Sequence, residues 1–385
     1  MRYRLTCLTP TLVGDGSHLS PIDYMVWRDQ VNVLDQTRIV RLLAKGPRLD
    51  NYLKQIQRAT KLDFAAWGGF AQNFAGRRIP FEDPAYSRYW EALASDQLRI
   101  PSFASSAAGP YLPGSALKGA LRTALVSARV TEAALEDLAG RTNDDRARRM
   151  PGPLLEELLA GASGANQWKP FSVGDSDPVS RDCFRIFMLR TASLAPAGDA
   201  KLSLRWKQAP RGDAPGSRPD QGSACFAEMA APGSEFTGRW RENPFYQQPE
   251  VLRALRLKAT LTTAALLEAA NDSAEKILEI HVRYAQAAGL AEFQQNLESL
   301  RSRVAEARRR PGSAVLCVGW GAGFLSKSGG GSPSHAAYRR ILEQLPYFSR
   351  AVRSGLPFPK TRRVVFLRDR PATLPGWCLL EVRDA

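Results

Sequence analysis

Cysteine and histidine are scarce in this chain of 385 residues, which contains five cysteines and three histidines. The cysteines stand far apart, without a C-x-x-C pair and without a cysteine–histidine spacing that suits a zinc ligand set. This scarcity excludes a zinc ribbon and argues against a scaffold held together by disulfides. We therefore expect reduced thiols, no bound metal and no cofactor.

Long apolar segments are missing as well. No hydrophobic run approaches the roughly 18 residues that a membrane-spanning helix needs, and the N-terminus MRYRLTCLTP has no hydrophobic signal core. On these grounds we expect a cytoplasmic protein. Hydrophobic residues make up 44% of the chain and charged residues 24%, a balance typical of folded globular proteins. The length suggests two domains, each able to bury a core.

Acidic residues are outnumbered by basic ones, 38 to 53, which leaves a formal net charge of +15. A surplus of this size indicates binding to nucleic acid or to an anionic membrane. The sequence shows neither a basic amphipathic helix nor a lipidation signal, so we interpret the charge as a nucleic-acid surface. The imbalance is greatest between residues 319 and 370, which contain ten basic and two acidic residues. Residues 181–218 contain eight basic and three acidic residues.

Strand-like and helix-like patterns predict an α+β fold, with strands at both ends of the chain and helices inserted between them. The expected strands are residues 3–8, 24–27, 31–34, 314–318, 364–367 and 377–382, and the expected helices are residues 38–44, 49–60, 116–130 and 250–310. Apolar stripes at helical spacing comprise Leu117, Leu121, Leu125 and Ala128 in one helix and Phe293, Leu297, Leu300 and Val304 in another.

Three shorter features complete this outline. Asp272, followed three residues later by a glutamate, predicts the start of a new helix. Residues 191–222 are rich in proline and glycine and predict a long mobile loop or an extended hairpin outside the core. An aromatic stretch is better read as core or lid packing than as a base-stacking platform; its members are Phe64, Trp67, Phe70 and Phe74.

A first glycine element, YLPGSALKGALRTAL at residues 111–125, leads into a helix. Ser115 is a favourable N-cap, and Gly114 lets the backbone turn sharply into the helix. Free N–H groups at a helix start suit phosphate, and Lys118 and Arg122 project from one helix face. The pattern predicts a phosphate-backbone site, although an ordinary capped helix with solvated basic residues fits the same letters. It is not a Walker A loop.

A second glycine element, GWGAGFLSKSGGG at residues 319–331, follows a predicted strand and precedes the basic C-terminal segment. Its glycines, which include Gly319, Gly321 and Gly323, allow a ligand to approach the backbone closely, and Lys327 supplies charge. The alternative is a flexible surface loop. We interpret the element as an anion site, and it lacks the spacing of a dinucleotide-binding fingerprint.

The two glycine elements resemble the signature helix and the C-terminal glycine-rich loop of the RAMP superfamily of CRISPR RNA-binding proteins. Three further stretches narrow the resemblance to the fifth subunits of type III-A (Csm) effector complexes, which cap the end of the filament. These stretches are LTPTLVGDGSHLSPIDY at 8–24, FSVGDSDPV at 171–179 and FPKTRRVVF at 358–366. The matches follow one another in order over nearly the whole chain.

The resemblance implies a RAMP fold, with one or two ferredoxin-like (RRM-like) modules, inserted helices and a thumb-like hairpin. It implies a non-catalytic subunit that grips the guide RNA (crRNA) near the 3′ end of its spacer and aids RNA maturation and assembly. The implied partners are crRNA, the backbone RAMP subunits and the small subunit, with target RNA contacted indirectly and host maturation nucleases recruited. No membrane partner is expected.

By matching position, the resemblance assigns RNA contacts to Gly114, Ser115, Lys118 and Arg122, and to Gly319, Gly321, Gly323 and Lys327. Arg362 and Arg363 fall in the C-terminal motif and join this set. The chain lacks the aromatic motif of sequence-reading RRM proteins, so backbone recognition without base reading is expected. We expect two domains: residues 1–180, and residues 181–385 with a helical insertion at 250–310 and the glycine loop at 319–331.

Two alternatives remain open. The first is an endoribonuclease of the same superfamily, for which His18 is the candidate general acid or base and Asp15 or Asp23 the candidate loop carboxylate. Asp175 and Asp177 could hold a cation, but paired carboxylates in such a turn more commonly fix the turn itself. We expect no catalytic residue among these. The second alternative is a pure assembly protein whose basic surface meets an acidic partner.

Overall fold

The computed structural model describes residues 1–44, 48–58, 73–93, 97–142, 151–161, 165–197, 202–209, 213–257, 261–327 and 335–384. Within this part, the helices are α1 (Gln36–Leu43), α2 (Arg48–Arg58), α3 (Tyr86–Glu91), α4 (Gly114–Arg129), α5 (Glu132–Thr142), α6 (Pro151–Ala160), α7 (Pro249–Ala254), α8 (Thr263–Ala288), α9 (Ala291–Arg308), α10 (Ala336–Gln344) and α11 (Pro346–Arg353). None of these helices is long and apolar enough to cross a membrane.

The strands of the same residues are β1 (Arg2–Cys7), β2 (His18–Leu19), β3 (Tyr24–Trp27), β4 (Gln30–Leu34), β5 (Ala75–Pro80), β6 (Ile100–Pro101), β7 (Ser105–Ser106), β8 (Gly109–Pro110), β9 (Phe171–Ser176), β10 (Phe184–Pro196), β11 (Leu202–Trp206), β12 (Cys225–Ala230), β13 (Glu235–Glu242), β14 (Ser313–Cys317), β15 (Thr361–Leu367), β16 (Arg370–Thr373) and β17 (Trp377–Arg383). The α+β class predicted from the sequence is confirmed.

The first sheet has the strand order β14-β17-β1-β13-β9, and all its pairs are antiparallel. The chain order β1-α4-β9-β13-α8-β17 is that of a ferredoxin-like βαββαβ unit. Strand β1 lies between β13 and β17, with Tyr3 opposite both Gly238 and Val382. The two ends of the chain therefore meet in one sheet. Strands from both sides of the expected domain boundary at residue 180 contribute to this sheet.

The second sheet is built around the long strand β10, which pairs with β11, β12 and β15, while β16 pairs with β15. Strands β10 and β11 form the hairpin predicted within residues 191–222. The expectation that this hairpin stays outside the core is wrong. Leu194 and Trp206 are buried, and Trp206 makes an edge contact with Phe366 at a ring distance of 5.5 Å.

Two large apolar cores hold the sheets and helices together. Helix α4 places Leu117, Leu121 and Leu125 against the first sheet, as its apolar stripe predicts. Helix α9 places its own stripe in the second core, where the buried residues are Phe293, Leu297, Leu300 and Val304. Both stripes recur at helical spacing, and local periodicity therefore located them correctly.

The helix start predicted at Asp272 is wrong, because this residue lies in the middle of α8. The helix begins at Thr263, where the side chain of Thr262 accepts a hydrogen bond from the backbone N–H of Ala265. Asn271 is buried and exchanges hydrogen bonds with β14, and Asp272 forms an ion pair with Arg308 of α9 at 2.7 Å. The polar run that resembled a cap therefore serves tertiary contacts.

Near the N-terminus, the predicted hairpin of β3 and β4 is confirmed and is joined by β5 in a three-stranded sheet. Helices α1 and α2 lie close to their predicted ranges. Phe74 is buried in a small core with residues of these elements, which agrees with core packing. Phe64, Trp67 and Phe70 lie outside the described residues.

Candidate nucleic-acid interface

The start of α4 is packed against strand β9. Gly114 is the first residue of the helix, and the preceding Pro113 occupies the cap position without a side-chain hydrogen bond. A Cβ atom at Gly114 would collide with the backbone of Val173 and Gly174, so only glycine fits here. The N–H of Gly114 donates to Asp175 Oδ1 at 2.8 Å. The N-cap predicted for Ser115 is therefore wrong, because a carboxylate from β9 fills that role.

Lys118 and Arg122 both have partners within the protein. Lys118 is partly buried and its Nζ donates to the backbone oxygen of Phe171 at 2.5 Å. Burial lowers the pKa of Lys118, and the neighbouring positive charge of Arg122 lowers it further. Arg122 forms an ion pair with Glu156 of α6. Their role in RNA binding stays a prediction.

A different face of α4 borders a cleft of about 720 Å³, which we call the glycine cleft. One wall is the N-terminal loop, residues 12–18, and another is the glycine loop, whose described part is residues 319–327. The helix contributes the small residues Ala116, Gly119, Ala120 and Thr123. Small side chains keep the cleft open along the helix, which suits close approach by a polymer backbone.

The glycine loop has an alternating backbone conformation. Gly319, Gly321 and Gly323 have φ angles of +82°, +83° and +81°, while Trp320 and Ala322 between them do not. A backbone that alternates in this way turns successive N–H groups towards one side, a geometry that binds anions. The N–H of Trp320 donates to Leu12 O at 2.7 Å, whereas the N–H groups of residues 321–326 have no acceptor among the described residues.

The glycine loop also lines a second cavity of about 430 Å³, the loop pocket. Lys327, Arg362 and Arg363 line it together with the loop glycines. The guanidinium of Arg363 stacks over the ring of Trp320, 4.1 Å from its centroid. The fold thus brings together six of the ten predicted site residues; these are Gly319, Gly321, Gly323, Lys327, Arg362 and Arg363.

Arg362 differs from its neighbour because it is only 6% exposed. Its Nε donates to His281 Nδ1 at 2.8 Å, and its Nη1 donates to the backbone oxygen of Pro359 at 2.6 Å. The guanidinium also lies 4.4 Å from the ring centroid of Tyr284. Burial lowers the pKa of Arg362 to about 10 and holds the pKa of His281 well below its usual value.

The charges around both cavities have one sign. Arg99, Lys327, Arg362 and Arg363 line them, and no aspartate or glutamate occurs among the described lining residues. The Arg99 side chain is exposed at the mouth of the cleft. No pattern in the sequence singles out Arg99, because it belongs to no glycine element and to no dense basic run. Such a surface attracts a polyanion and repels other cationic chains.

Comparison with known proteins identifies the family of this chain. A family model described as the RAMP superfamily matches residues 4–243. The chain belongs to the RAMP superfamily. A comparison with curated proteins gives no match.

Two solved structures share the fold of this RAMP protein. One chain, from a structure described as a Csm-crRNA-target RNA ternary complex of the type III-A CRISPR-Cas system, has a TM-score of 0.64 at 20% identity, with 99% of this chain and 100% of that chain covered. The other is Csm5 of T. onnurineus, with a TM-score of 0.61 at 17% identity, covering 98% and 100%. Identities this low show a common fold.

The possible acid–base residues of this RAMP protein are dispersed. His18 lines the glycine cleft, whereas His281 is buried beside Arg362. Asp15 Oδ1 accepts from the N–H of Ser17 at 2.8 Å, a bond that shapes the loop, and hydrogen bonds from the side chain and then the backbone of Ser17 lower the pKa of Asp15. Asp23 likewise fixes a turn, accepting hydrogen bonds from the backbone and hydroxyl of Ser20.

The remaining carboxylates of interest serve contacts within the fold. Asp175 caps α4, and Asp177 pairs with Arg2 at 2.6 Å. Within the described residues, no group of three histidine, cysteine, aspartate or glutamate side chains is arranged to hold a metal ion. The geometry of the described residues thus supports anion binding better than catalysis by these carboxylates, which serve contacts within the fold.

Proposed function

We propose that this RAMP protein is a non-catalytic RNA-binding subunit of a type III-A CRISPR (Csm) interference complex. In this role it binds the crRNA backbone toward the 3′ end of the spacer and caps the filament, aiding crRNA maturation and assembly. Its partners are crRNA, the backbone RAMP subunits and the small subunit, with indirect contact to target RNA and recruitment of maturation nucleases. The family match and the fold shared with Csm subunits support this assignment.

The observation that carries the proposal is the composition of the glycine cleft. Backbone N–H groups of residues 321–326 lack acceptors among the described residues. Arg99 and Lys327 line the glycine cleft, and Lys327 and Arg363 line the loop pocket that shares the glycine loop with it. A phosphodiester supplies the charge and the acceptor oxygens that such groups need. None of these groups reads a base, so the surface suits a spacer of any sequence.

Trp320 does not alter this conclusion. The ring lines the cleft, but Arg363 covers one of its faces. A single partly covered ring provides much less stacking surface than the several aromatic side chains of sequence-reading RRM sheets. Recognition through the backbone therefore remains the function that the surface supports best.

The proposal is tested by isolating the tagged full-length protein from cells that carry its CRISPR locus. We expect copurification of crRNA and other Csm subunits, with the 3′ portion of the spacer protected from added ribonuclease. Protection of the 5′ end, or copurified subunits without RNA, would contradict the proposal. The second of these results would support the alternative of a pure assembly protein.

A further inference from the structure

A third cavity lies behind Arg362, which also lines the loop pocket. It has a volume of about 440 Å³ and is bordered by α8, α10, α11 and residues 355–359. Its walls are mostly apolar, with Leu342, Val352, Leu356 and Phe358 among the lining side chains. We call this cavity the arginine pocket, because Arg283, Arg339 and Arg362 supply all the charge among its described lining residues.

The buried cation of the arginine pocket, Arg362, has no acidic partner among the described residues. The hydrogen bonds of Arg362 go to His281 and to backbone oxygens, and Nη2 has no partner among the described residues. Arg283 and Arg339 keep ion pairs with glutamates one turn away on their own helices, Glu279 and Glu343. A buried guanidinium is normally paired with an anion, so this pocket lacks a negative charge.

A second polar group in the pocket is also unsatisfied. The hydroxyl of Tyr284 is buried and has no hydrogen-bond partner in the part of the chain that the structure describes, and the residue is 3% exposed. Buried hydroxyl groups in native proteins are nearly always hydrogen-bonded, because leaving one unpaired is unfavourable. Tyr284 and Arg362 therefore point to the same missing partner, a group with acceptor oxygens and negative charge.

We propose that the arginine pocket docks a segment of a partner protein in which a large apolar side chain stands beside a carboxylate. The apolar side chain would fill the space between Leu342, Val352 and Leu356, and the carboxylate would meet the arginines and the Tyr284 hydroxyl. The complementarity of charge carries this choice, since three arginines line the pocket, none of its described lining residues is acidic, and Arg362 has no acidic partner among the described residues.

A nucleobase fits the pocket less well than a peptide side chain. The ring of Phe358 already makes edge contacts with Phe324 and Phe348, at ring distances of 5.1 and 5.8 Å. Apart from the three arginines, the other walls are aliphatic, glycine or proline, and Tyr284 is the one uncharged hydrogen-bonding side chain among the described lining residues. A base would bury several polar edge atoms without partners.

The inference does not rest on the RNA-binding role, and binding of small probes to the full-length protein tests it. The probes are N-acetyl-phenylalanine, which has a carboxylate, its uncharged amide, and AMP, each followed by saturation-transfer NMR. We expect N-acetyl-phenylalanine to bind with a Kd on the order of 1 mM, typical of a ligand of this size. The amide should bind about tenfold more weakly because it loses the charge-assisted hydrogen bonds.

Substitutions test whether N-acetyl-phenylalanine binds in the arginine pocket. Arg283→Gln with Arg339→Gln should weaken N-acetyl-phenylalanine binding about tenfold, and Tyr284→Phe should weaken it a few-fold while leaving the fold intact. The matched control is Arg218→Gln with Arg303→Gln, which removes two exposed arginines that also pair with close sequence neighbours. Control protein should bind like wild type.

Three results would overturn the proposal. The first is no binding of N-acetyl-phenylalanine, and the second is equal binding of the acid and the amide. The third is binding of AMP that competes with N-acetyl-phenylalanine and is lost in the Tyr284→Phe variant, which would assign the pocket to a nucleotide. None of these outcomes bears on RNA binding at the glycine cleft, which is measured separately.

Discussion

The carboxylate of Asp175 caps helix α4 by accepting a hydrogen bond from the N–H of Gly114 at 2.8 Å. A helix start with free N–H groups attracts phosphate, but this one already faces a negative charge from β9. A backbone geometry that suits an anion occurs at the glycine loop, where Gly319, Gly321 and Gly323 alternate with residues of ordinary φ. This difference decides which substitutions should affect stability and which should affect RNA binding.

Asp175→Ala should lower the free energy of unfolding by about 1 kcal/mol, the usual effect of removing an N-cap side chain. The loss arises because the Gly114 N–H, which is partly buried, no longer has an acceptor. Urea unfolding followed by circular dichroism measures it. Asp177→Ala is the control, since its ion pair with Arg2 is exposed and should be worth less than about 0.5 kcal/mol. Equal effects of the two substitutions would contradict the capping role.

Gly319→Ala should destabilise the protein by about 3 kcal/mol, because two penalties combine. The residue has a positive φ, and an added Cβ would collide with the backbone oxygen of Leu12. Gly323→Ala is the matched control: its φ is nearly the same, but no atom lies near the added Cβ. It should cost only about 1 kcal/mol. Chemical denaturation compares the two, and similar losses would show that the contact with Leu12 is unimportant.

Acidification should weaken the fold through His281. The pKa of this buried imidazole is held well below its usual value, chiefly by burial and then by Arg362. The folded protein therefore keeps His281 neutral, while the unfolded chain takes up a proton as the pH falls below about 6.5. Stability contributed by the neutral histidine is present above that pH and is lost below it.

The size of this effect is about 1.4 kcal/mol per pH unit below pH 6.5, for one proton. His281→Gln keeps an acceptor for Arg362 but cannot titrate, so its stability should fall less steeply between about pH 6.5 and 5. Parallel stability curves for wild type and variant would show that His281 does not remain neutral in the folded state.

Purified protein should not cleave labelled crRNA precursor or target RNA, with or without Mg²⁺. The basis is geometric. Asp15 lies in the loop before β2 and accepts a hydrogen bond from Ser17. His18 borders the cleft, and no second histidine does so within the described residues. Gel analysis of RNA products tests this expectation. Cleavage by wild type that disappears in His18→Ala or Asp15→Ala would establish the endoribonuclease alternative.

Local patterns predicted the parts of the fold that local interactions determine. The stripes of α4 and α9 follow from helical periodicity, and the β3–β4 hairpin follows from two short strands and a tight turn. The pairing of β1 with β17 could not be found this way. It joins residues such as Arg4 and Glu381, which are 377 positions apart, and no local signal reports such a contact.

The candidate site could be predicted only in part, because local backbone conformation positions some of its residues and tertiary contacts position the others. Glycines mark the loop directly, since each positive φ at residues 319, 321 and 323 favours glycine. Lys118 and Arg122, by contrast, have partners 53 and 34 positions away, at Phe171 and Glu156, so their orientation depends on tertiary contacts. Arg99 reaches the cleft because of the fold alone.

The most direct test of the central claim is the salt dependence of RNA binding. We compare a triple variant, Arg99→Ala, Lys327→Ala and Arg363→Ala, with a double variant, Lys118→Ala and Arg122→Ala. Affinities for unrelated single-stranded RNAs are measured between about 50 and 200 mM salt. If the cleft binds the RNA backbone, the triple variant should lower the log–log salt slope by about 2, with about 0.7 lost per phosphate contact. The double variant should lower the slope by less, because Lys118 and Arg122 already have partners within the protein; the reverse result would place the main RNA contact on α4 and contradict the account.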